Sequence, residues 1–221
     1  MLTVHHLNNS RSQRVLWLLE ELDVPYEIVR YQRLPDMRAP PALRAIHPLG
    51  KSPIVTDNGN TVAESGAIVE YLIDTYGQGR LVPPPNTPAR LRYSYWLHYA
   101  EGSAMPPLLL KLLFTVMPKR APALLRPIVR KVSTQVLTAL VNPQLKQHMA
   151  FWESELSKTQ WFAGDEFTAA DIQMSFPLEA ASARAGLDVG HPKAMAFLER
   201  IHARPAYQRA LEKGGPYQVG R

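Results

Sequence analysis

With 221 residues, 46% hydrophobic and 20% charged, the chain has an ordinary globular composition and room for one large domain or two small ones. It has no cysteine, which excludes disulfides, thiolate metal sites and a protein-borne thiol nucleophile, and fits a reducing compartment. The net charge of +6 is uneven: residues 1–78 carry 7 basic and 9 acidic side chains, residues 79–221 carry 18 and 10, and between Glu101 and Glu153 there are seven basic residues and no acidic one. Such a basic stretch suits an anionic small ligand, a nucleic acid, an anionic membrane surface or a merely solvated face, and the last is the first choice. Met1 to Val4 leads straight into patterned sequence without the charged and apolar regions of a signal peptide, so a cytoplasmic location is expected.

Leu2 to Leu7 reads as a strand in which His5 and His6 point to opposite faces, without visible partners and so structural. The polar loop Asn8-Asn9-Ser10-Arg11-Ser12 precedes a helix from about Ser12 to Leu22, where Val15, Leu16, Leu18, Leu19 and Leu22 recur at helical spacing. Tyr26 to Tyr31 is a second strand and Pro41 to Ile46 a short helix entered through proline. Leu49 to Leu72 is the densest stretch. Gly50-Lys51 ends a loop, Pro53 to Thr56 is a strand, Asn58-Gly59 is a hairpin turn, and Thr61 to Ala63 returns to Glu64-Ser65, with a helix beginning at Ala67. A carboxylate and a hydroxyl at a helix N-terminus, near a lysine, suit a small zwitterionic ligand, although such residues also serve as plain helix caps.

The order β-α-β-α-β-β-α predicts an α/β thioredoxin-like domain over 1–78. Gly77 to Gly79 and Pro83-Pro84-Pro85 mark a boundary, with 79–87 as linker. Residues 88–221 read as an all-α helical domain: Pro88–Phe114, Ile128–Leu140, Gln144–Leu156, Ala169–Ala185 and Pro192–Arg204, with a kinked connection over Met117–Pro127. Thr168 to Asp171 is a capping box, and Phe167 and Ile172 have the spacing of a hydrophobic staple.

Pro48-Leu49-Gly50-Lys51-Ser52-Pro53, Glu64-Ser65 and Phe167-Thr168-Ala169-Ala170-Asp171, in this order and at these separations, resemble the cytosolic glutathione transferase family over essentially the whole chain. The resemblance implies glutathione as co-substrate, no metal, a homodimer, and conjugation of the glutathione thiolate to apolar electrophiles. It implies a cis proline at 53 that frees the Ser52 backbone for the cysteinyl unit. Glu64 and Ser65 would take the γ-glutamyl group and Lys51 the glycyl carboxylate. With no tyrosine in the first strand and no cysteine, the family's serine-type chemistry is implied. Ser10, a few residues before Arg14, is the leading thiol-activating residue, with Ser12, Asn9 and even Asn8 as competitors, and a plain helix cap is the other reading of Ser10 or Ser12. Arg11 and Arg33 would add attraction for the anionic tripeptide.

Tyr95, His98, Tyr99, Met105, Leu109 and Phe114 are candidates for the electrophile pocket, and core packing is the competing reading for about half of them. Glutathione-dependent peroxidase or disulfide reduction is the alternative activity. The family scaffold also serves as a non-catalytic binding module, for which the basic, hydrophobic segment 104–141 would offer a dock for an acidic partner or a membrane surface. That ranks behind the enzymatic reading, and no nucleic-acid partner is expected.

Overall fold

The structure, a computed structural model, describes residues 1–36, 38–217 and 219. Residues 218, 220 and 221, which end the predicted helical domain, lie outside the described part. β1 (Thr3–Leu7), α1 (Ser12–Glu21), β2 (Glu27–Tyr31), α2 (Ala42–Ile46), β3 (Ile54–Asp57), β4 (Asn60–Ala63) and α3 (Ser65–Tyr76) follow in the predicted order. The strands form one sheet, β2-β1-β3-β4. β1 runs parallel to β2, pairing Thr3 with Glu27, and antiparallel to β3, pairing Val4 with Val55. The β3–β4 turn has positive φ at both Asn58 (47°) and Gly59 (85°), the backbone that matches strand twist across a two-residue hairpin. This is the thioredoxin-like arrangement.

The rest is helical: α4 (Pro88–Tyr99), α5 (Met105–Arg120), α6 (Arg126–Val136), α7 (Asn142–Leu156), α8 (Ala169–Arg184), α9 (Pro192–His202) and α10 (Pro205–Gly214). The boundaries depart from the expected ones in three places, each for a reason of backbone chemistry. The single helix expected over 88–114 is divided by a π-helical turn at Ala100–Ala104, where the Met105 amide reaches back five residues to the Ala100 carbonyl. A second π-helical turn, Leu137–Val141, joins α6 to α7 into one run, where a break had been expected. Prolines follow both turns, Pro106-Pro107 and Pro143. A proline lacks the N–H for the ordinary four-residue bond and its ring crowds that carbonyl, so the wider turn accommodates it.

The expected kinked connection over 117–127 is shorter, because α5 carries Pro118 inside its last turn and ends at Arg120. α10 was not anticipated, although Pro205 in its first turn and Gly214-Gly215 at its end punctuate it.

The core is continuous across both halves. α8 is buried on nearly all sides, and α1, also almost wholly buried, lies against α3, α8 and α10. Trp17 of α1 packs edge-on against Tyr207 (5.1 Å between ring centres) and tilted against Phe167 (5.7 Å), so the aromatic seam joins α1 of the first half to the helical half. The predicted capping box is present, with the Thr168 amide donating to Asp171 Oδ2 at 2.8 Å. The Thr168 hydroxyl donates to the same oxygen (3.0 Å), and the Phe162 amide takes Oδ1 (2.8 Å).

Candidate functional site

The loop from β1 to α1 is held from outside by Arg33. Its amide donates to Asn8 Oδ1 at 2.8 Å, its Nε to the Asn8 carbonyl at 3.2 Å, and its Nη2 to the Asn9 carbonyl at 3.3 Å. Asn9 is left-handed (φ 51°), a conformation asparagine tolerates better than most residues, and it turns the chain so that Ser10 faces inward. The two serines then differ. Ser12 is wholly buried; its oxygen accepts from the Leu7 amide at 3.3 Å and stands 2.9 Å from His6 Nδ1. Ser10 Oγ is 2.7 Å from Ser12 Oγ, accepts the Ser12 amide at 3.2 Å, and lies 3.4 Å from Ser52 Oγ. Ser52 in turn donates to the His5 carbonyl at 3.1 Å and precedes the cis peptide bond to Pro53.

Both strand histidines have partners, contrary to the sequence reading. His5 contacts Tyr31 Oη and Thr56 Oγ1, each at 3.2 Å. Burial, aided by the Arg30 charge, pushes the His6 imidazole down to about 4, while a hydrogen bond to the Gly214 backbone acts the other way, as an N–H donating to a carbonyl does. At neutral pH the ring is therefore uncharged. Its proton faces Gly214 on α10, and Nδ1 is left to accept the Ser12 hydroxyl proton.

At the start of α3, Glu64 has φ 71° and ψ 122°, an unusual backbone for a residue with a side chain. Its side chain is exposed while Ser65 is buried. Ser65 Oγ accepts from Arg14 Nη2 at 3.1 Å and stands 3.4 Å from Glu101 Oε1. Arg14 is 2% exposed, and its other guanidinium nitrogen donates to the Gln173 carbonyl of α8 at 2.5 Å. Glu101, on the first π-helical turn, accepts Arg14 Nη2 (2.5 Å) and Arg11 Nε (2.9 Å). Burial alone would raise the Glu101 pKa, but Arg14 and Arg11 outweigh it and the carboxyl ends below its usual value. Burial also lowers the Arg14 pKa, opposed by Glu101.

A cleft of about 200 Å³ opens over these groups, with Arg11, Lys51, Ser52, Glu64, Ser65 and Glu101 on its walls. A neighbouring hollow of about 480 Å³ shares Arg11, Lys51 and Ser52 and adds Arg33, Arg38 and Arg44. Alternating cations and carboxylates in the first, and cations alone in the second, fit a ligand with an ammonium group and two well-separated carboxylates. Among the described residues no group of three or more His, Cys, Asp or Glu side chains is placed to hold a metal ion.

The five expected glutathione residues, Lys51, Ser52, Pro53, Glu64 and Ser65, all line the cleft. The six expected pocket residues do not converge there. Tyr99 is buried, paired through its hydroxyl with His148 Nδ1 and taking the Trp152 indole N–H at 3.2 Å. Tyr95 stacks on it from the surface, His98 is exposed, and Met105 is buried. Leu109 is half exposed, and Phe114 sits in the groove between α5 and α6. Helical spacing placed these residues on one long helix, but the π-helical turn shifts the face by one residue and the buried ones are core. Glu101 and the bridging role of Arg14 were missed. The one sequence signal for Glu101 is that it is the last acid before the long basic stretch.

Residues 1–74 match the family described as "Glutathione S-transferase, N-terminal domain" and residues 116–205 that described as "Glutathione S-transferase, C-terminal domain". The chain is 38% identical to Glutathione S-transferase 3 of Schizosaccharomyces pombe over 96% of its own length and 88% of that protein's. It is 33% identical to Glutathione S-transferase 1 of Saccharomyces cerevisiae, over 96% and 95%. A solved glutathione S-transferase from Actinobacillus pleuropneumoniae superposes with a TM-score of 0.81 at 32% identity, over 100% of this chain and 96% of that one.

Proposed function

The chain belongs to the glutathione S-transferase family and is a transferase with glutathione as co-substrate, and from that premise we propose how its cleft holds and activates the tripeptide. Glu64 pairs the α-ammonium of the γ-glutamyl unit. The Ser65 hydroxyl and the first amides of α3 take its α-carboxylate, favoured by the positive end of the helix and by Arg14 behind it. The Ser52 backbone pairs with the cysteinyl unit, and Lys51 takes the glycyl carboxylate with Arg44 and Arg38 nearby. The sulfur then lies by Ser10.

A free thiol titrates near 8.5, so the enzyme must stabilise the anion. Ser12 is unsuited, since its buried hydroxyl lies between two acceptors for its proton, His6 Nδ1 at 2.9 Å and the Leu7 carbonyl at 3.3 Å. Ser10 donates only to a neighbouring hydroxyl and its proton is free to turn to sulfur, beside the N-terminus of α1. The thiolate attacks an electrophilic carbon, an S–C bond forms, and the leaving group departs with its electron pair, while the thiol proton has passed to solvent. The electrophile approaches past Arg11 and Glu101, the wall to which the helical half contributes. The observation that carries this reading is the buried Ser10 hydroxyl, 3.4 Å behind Ser52, which lines the cleft together with Lys51, Glu64 and Ser65.

The same proposal places the glutathione unit in 1–78, the linker at 79–87 and the electrophile wall in 88–221, and it has the enzyme working as a homodimer in the cytoplasm. The test is calorimetric titration with glutathione together with the thiolate absorbance of the complex. Glu64→Ala is expected to weaken binding by about tenfold or more, from the loss of one charge-assisted contact. Ser10→Ala is expected to leave binding nearly unchanged and abolish the thiolate band at neutral pH. A thiolate band that survives in Ser10→Ala would remove Ser10 from the mechanism.

A further inference from the structure

The hairpin of α5 and α6 is built unlike the rest of the surface. Of the fourteen large hydrophobic side chains that stand exposed among the described residues, eight fall between Leu109 and Leu140. Leu124, at the tip, is 89% exposed, Leu125 beside it 49% and Ile128 64%. Monomeric soluble proteins seldom leave such a patch uncovered unless it meets something. The flanks of the tip are cationic: Lys119 and Arg120 end α5, Arg126 opens α6, and Arg130 and Lys131 follow, with no acidic residue between Glu101 and Glu153.

The hairpin also borders two cavities. One, of about 700 Å³, is walled by Leu110, Leu113, Met117, Ile128 and Val132 with Arg120 at its edge. The other, of about 430 Å³, brings Lys119, Arg126 and Arg130 around Ser133 over a floor that includes Phe114 and Leu137. Ser133 is 2% exposed and its hydroxyl has no hydrogen-bond partner. A buried, unpaired hydroxyl costs free energy, and three cations facing the same hollow repel one another; both are relieved by an oxyanion seated there.

We propose that this hairpin docks the protein onto an anionic phospholipid surface. Leu124 and Leu125 enter the boundary between headgroups and acyl chains, Lys119, Arg120, Arg126, Arg130 and Lys131 meet the lipid phosphates, and the Ser133 hollow receives one of them. A second copy of this chain and a nucleic acid each explain half of the pattern. A second copy of the hairpin would match the apolar tip but set one cationic collar against another. A nucleic acid would match the collar but leave Leu124 and Leu125 uncovered. A lipid surface is apolar and anionic at adjacent depths, as the hairpin is apolar and cationic at adjacent positions. The docking is superficial, because no helix among the described residues is long and apolar enough to cross a membrane. The proposal does not depend on how the cleft holds glutathione.

The full chain is to be sedimented with phosphatidylglycerol-rich vesicles and with pure phosphatidylcholine vesicles, at low and high salt. Binding is expected to the first only, weakened by salt. Arg126→Glu/Arg130→Glu is expected to reduce the partition coefficient about tenfold or more, since each basic residue contributes severalfold at an anionic surface. Leu124→Asp/Leu125→Asp is expected to reduce it comparably. Both pairs are exposed and outside the cleft, so unchanged conjugation of glutathione in solution verifies folding. Binding that ignores lipid charge, or that survives both double substitutions, overturns the proposal. So does an absence of vesicle binding, and self-association abolished by Leu124→Asp/Leu125→Asp would then assign the face to a second copy.

Discussion

At the scale of single residues, the site depends on where one proton points. The His6 ring faces Gly214 of α10 on one side and the Ser12 hydroxyl on the other, and Ser12 stands against Ser10; on the proposed reading this histidine, without touching substrate, sets which serine keeps a proton for the thiol. Burial holds that imidazole down at about 4 against 6.5 in the unfolded chain. Between those values the unfolded chain binds a proton that the native state does not, so stability rises with pH across this window and is lost as pH falls from about 6.5 to 4. The shift corresponds to about 3 kcal/mol at most. The Asp171 carboxyl, pushed up to about 6 by burial, slopes the other way over much of the same range, so the net curve of the unaltered protein is flatter than either group alone would make it. His6→Asn keeps an acceptor for Ser12 without a titrating group. Urea unfolding at pH 7 and pH 4.5 is expected to show a markedly smaller acid loss in His6→Asn than in the unaltered chain, and equal losses would rule out His6 as the source. The sequence brought out the residues that line the cleft, because Lys51, Pro53 and Glu64-Ser65 lie in one short stretch. It did not separate Ser10 from Ser12, since that difference arises from His6, Leu7 and Gly214, which only the fold assembles around them.

At the scale of elements, the regular pieces were legible from periodicity and from Asn58-Gly59, while the irregular ones were not. A π-helical turn has no period of its own; Pro106, Pro107 and Pro143 signal trouble in a helix without saying that it continues. The turn at 100–104 matters because it carries Glu101 to Arg11 and Arg14, and π-helical turns recur at functional sites for this kind of reason. α10 was missed because it is short and its stabilisation is tertiary. Glu20 takes Arg209 and Lys213, Glu21 takes Arg204 through two nitrogens at 2.6 and 2.9 Å, and Gly214 approaches α1 closely. A Cβ on Gly214 would lie 2.5 Å from Gln13 Oε1 and 2.9 Å from Leu16 Cδ1. Gly214→Ala is therefore expected to cost about 1–3 kcal/mol, the range for overpacking a tight contact. Thermal denaturation checks it; a midpoint within a degree of the unaltered protein would mean that α10 yields without strain.

At the scale of the molecule, the two halves carry opposite net charge and yet share one core. Trp17 sits in the first half and packs on Phe167 and Tyr207 of the second, and Arg14 reaches both Glu101 and Gln173. Two sequence domains are thus expected to unfold as one. Tryptophan fluorescence and far-ultraviolet circular dichroism are predicted to give coincident urea transitions with one midpoint; separate midpoints would show that the seam is weaker than its packing implies. Arg14 also sets an order in time. A chain leaving the ribosome presents Lys51, Glu64 and Ser65 early, but the carboxylate that neutralises Arg14 arrives at residue 101, the carbonyl it caps at 173, and the backbone that orients His6 at 214. The residues proposed to read the ligand are therefore all made before residue 66, well ahead of the groups at 101, 173 and 214 that neutralise Arg14 and orient His6.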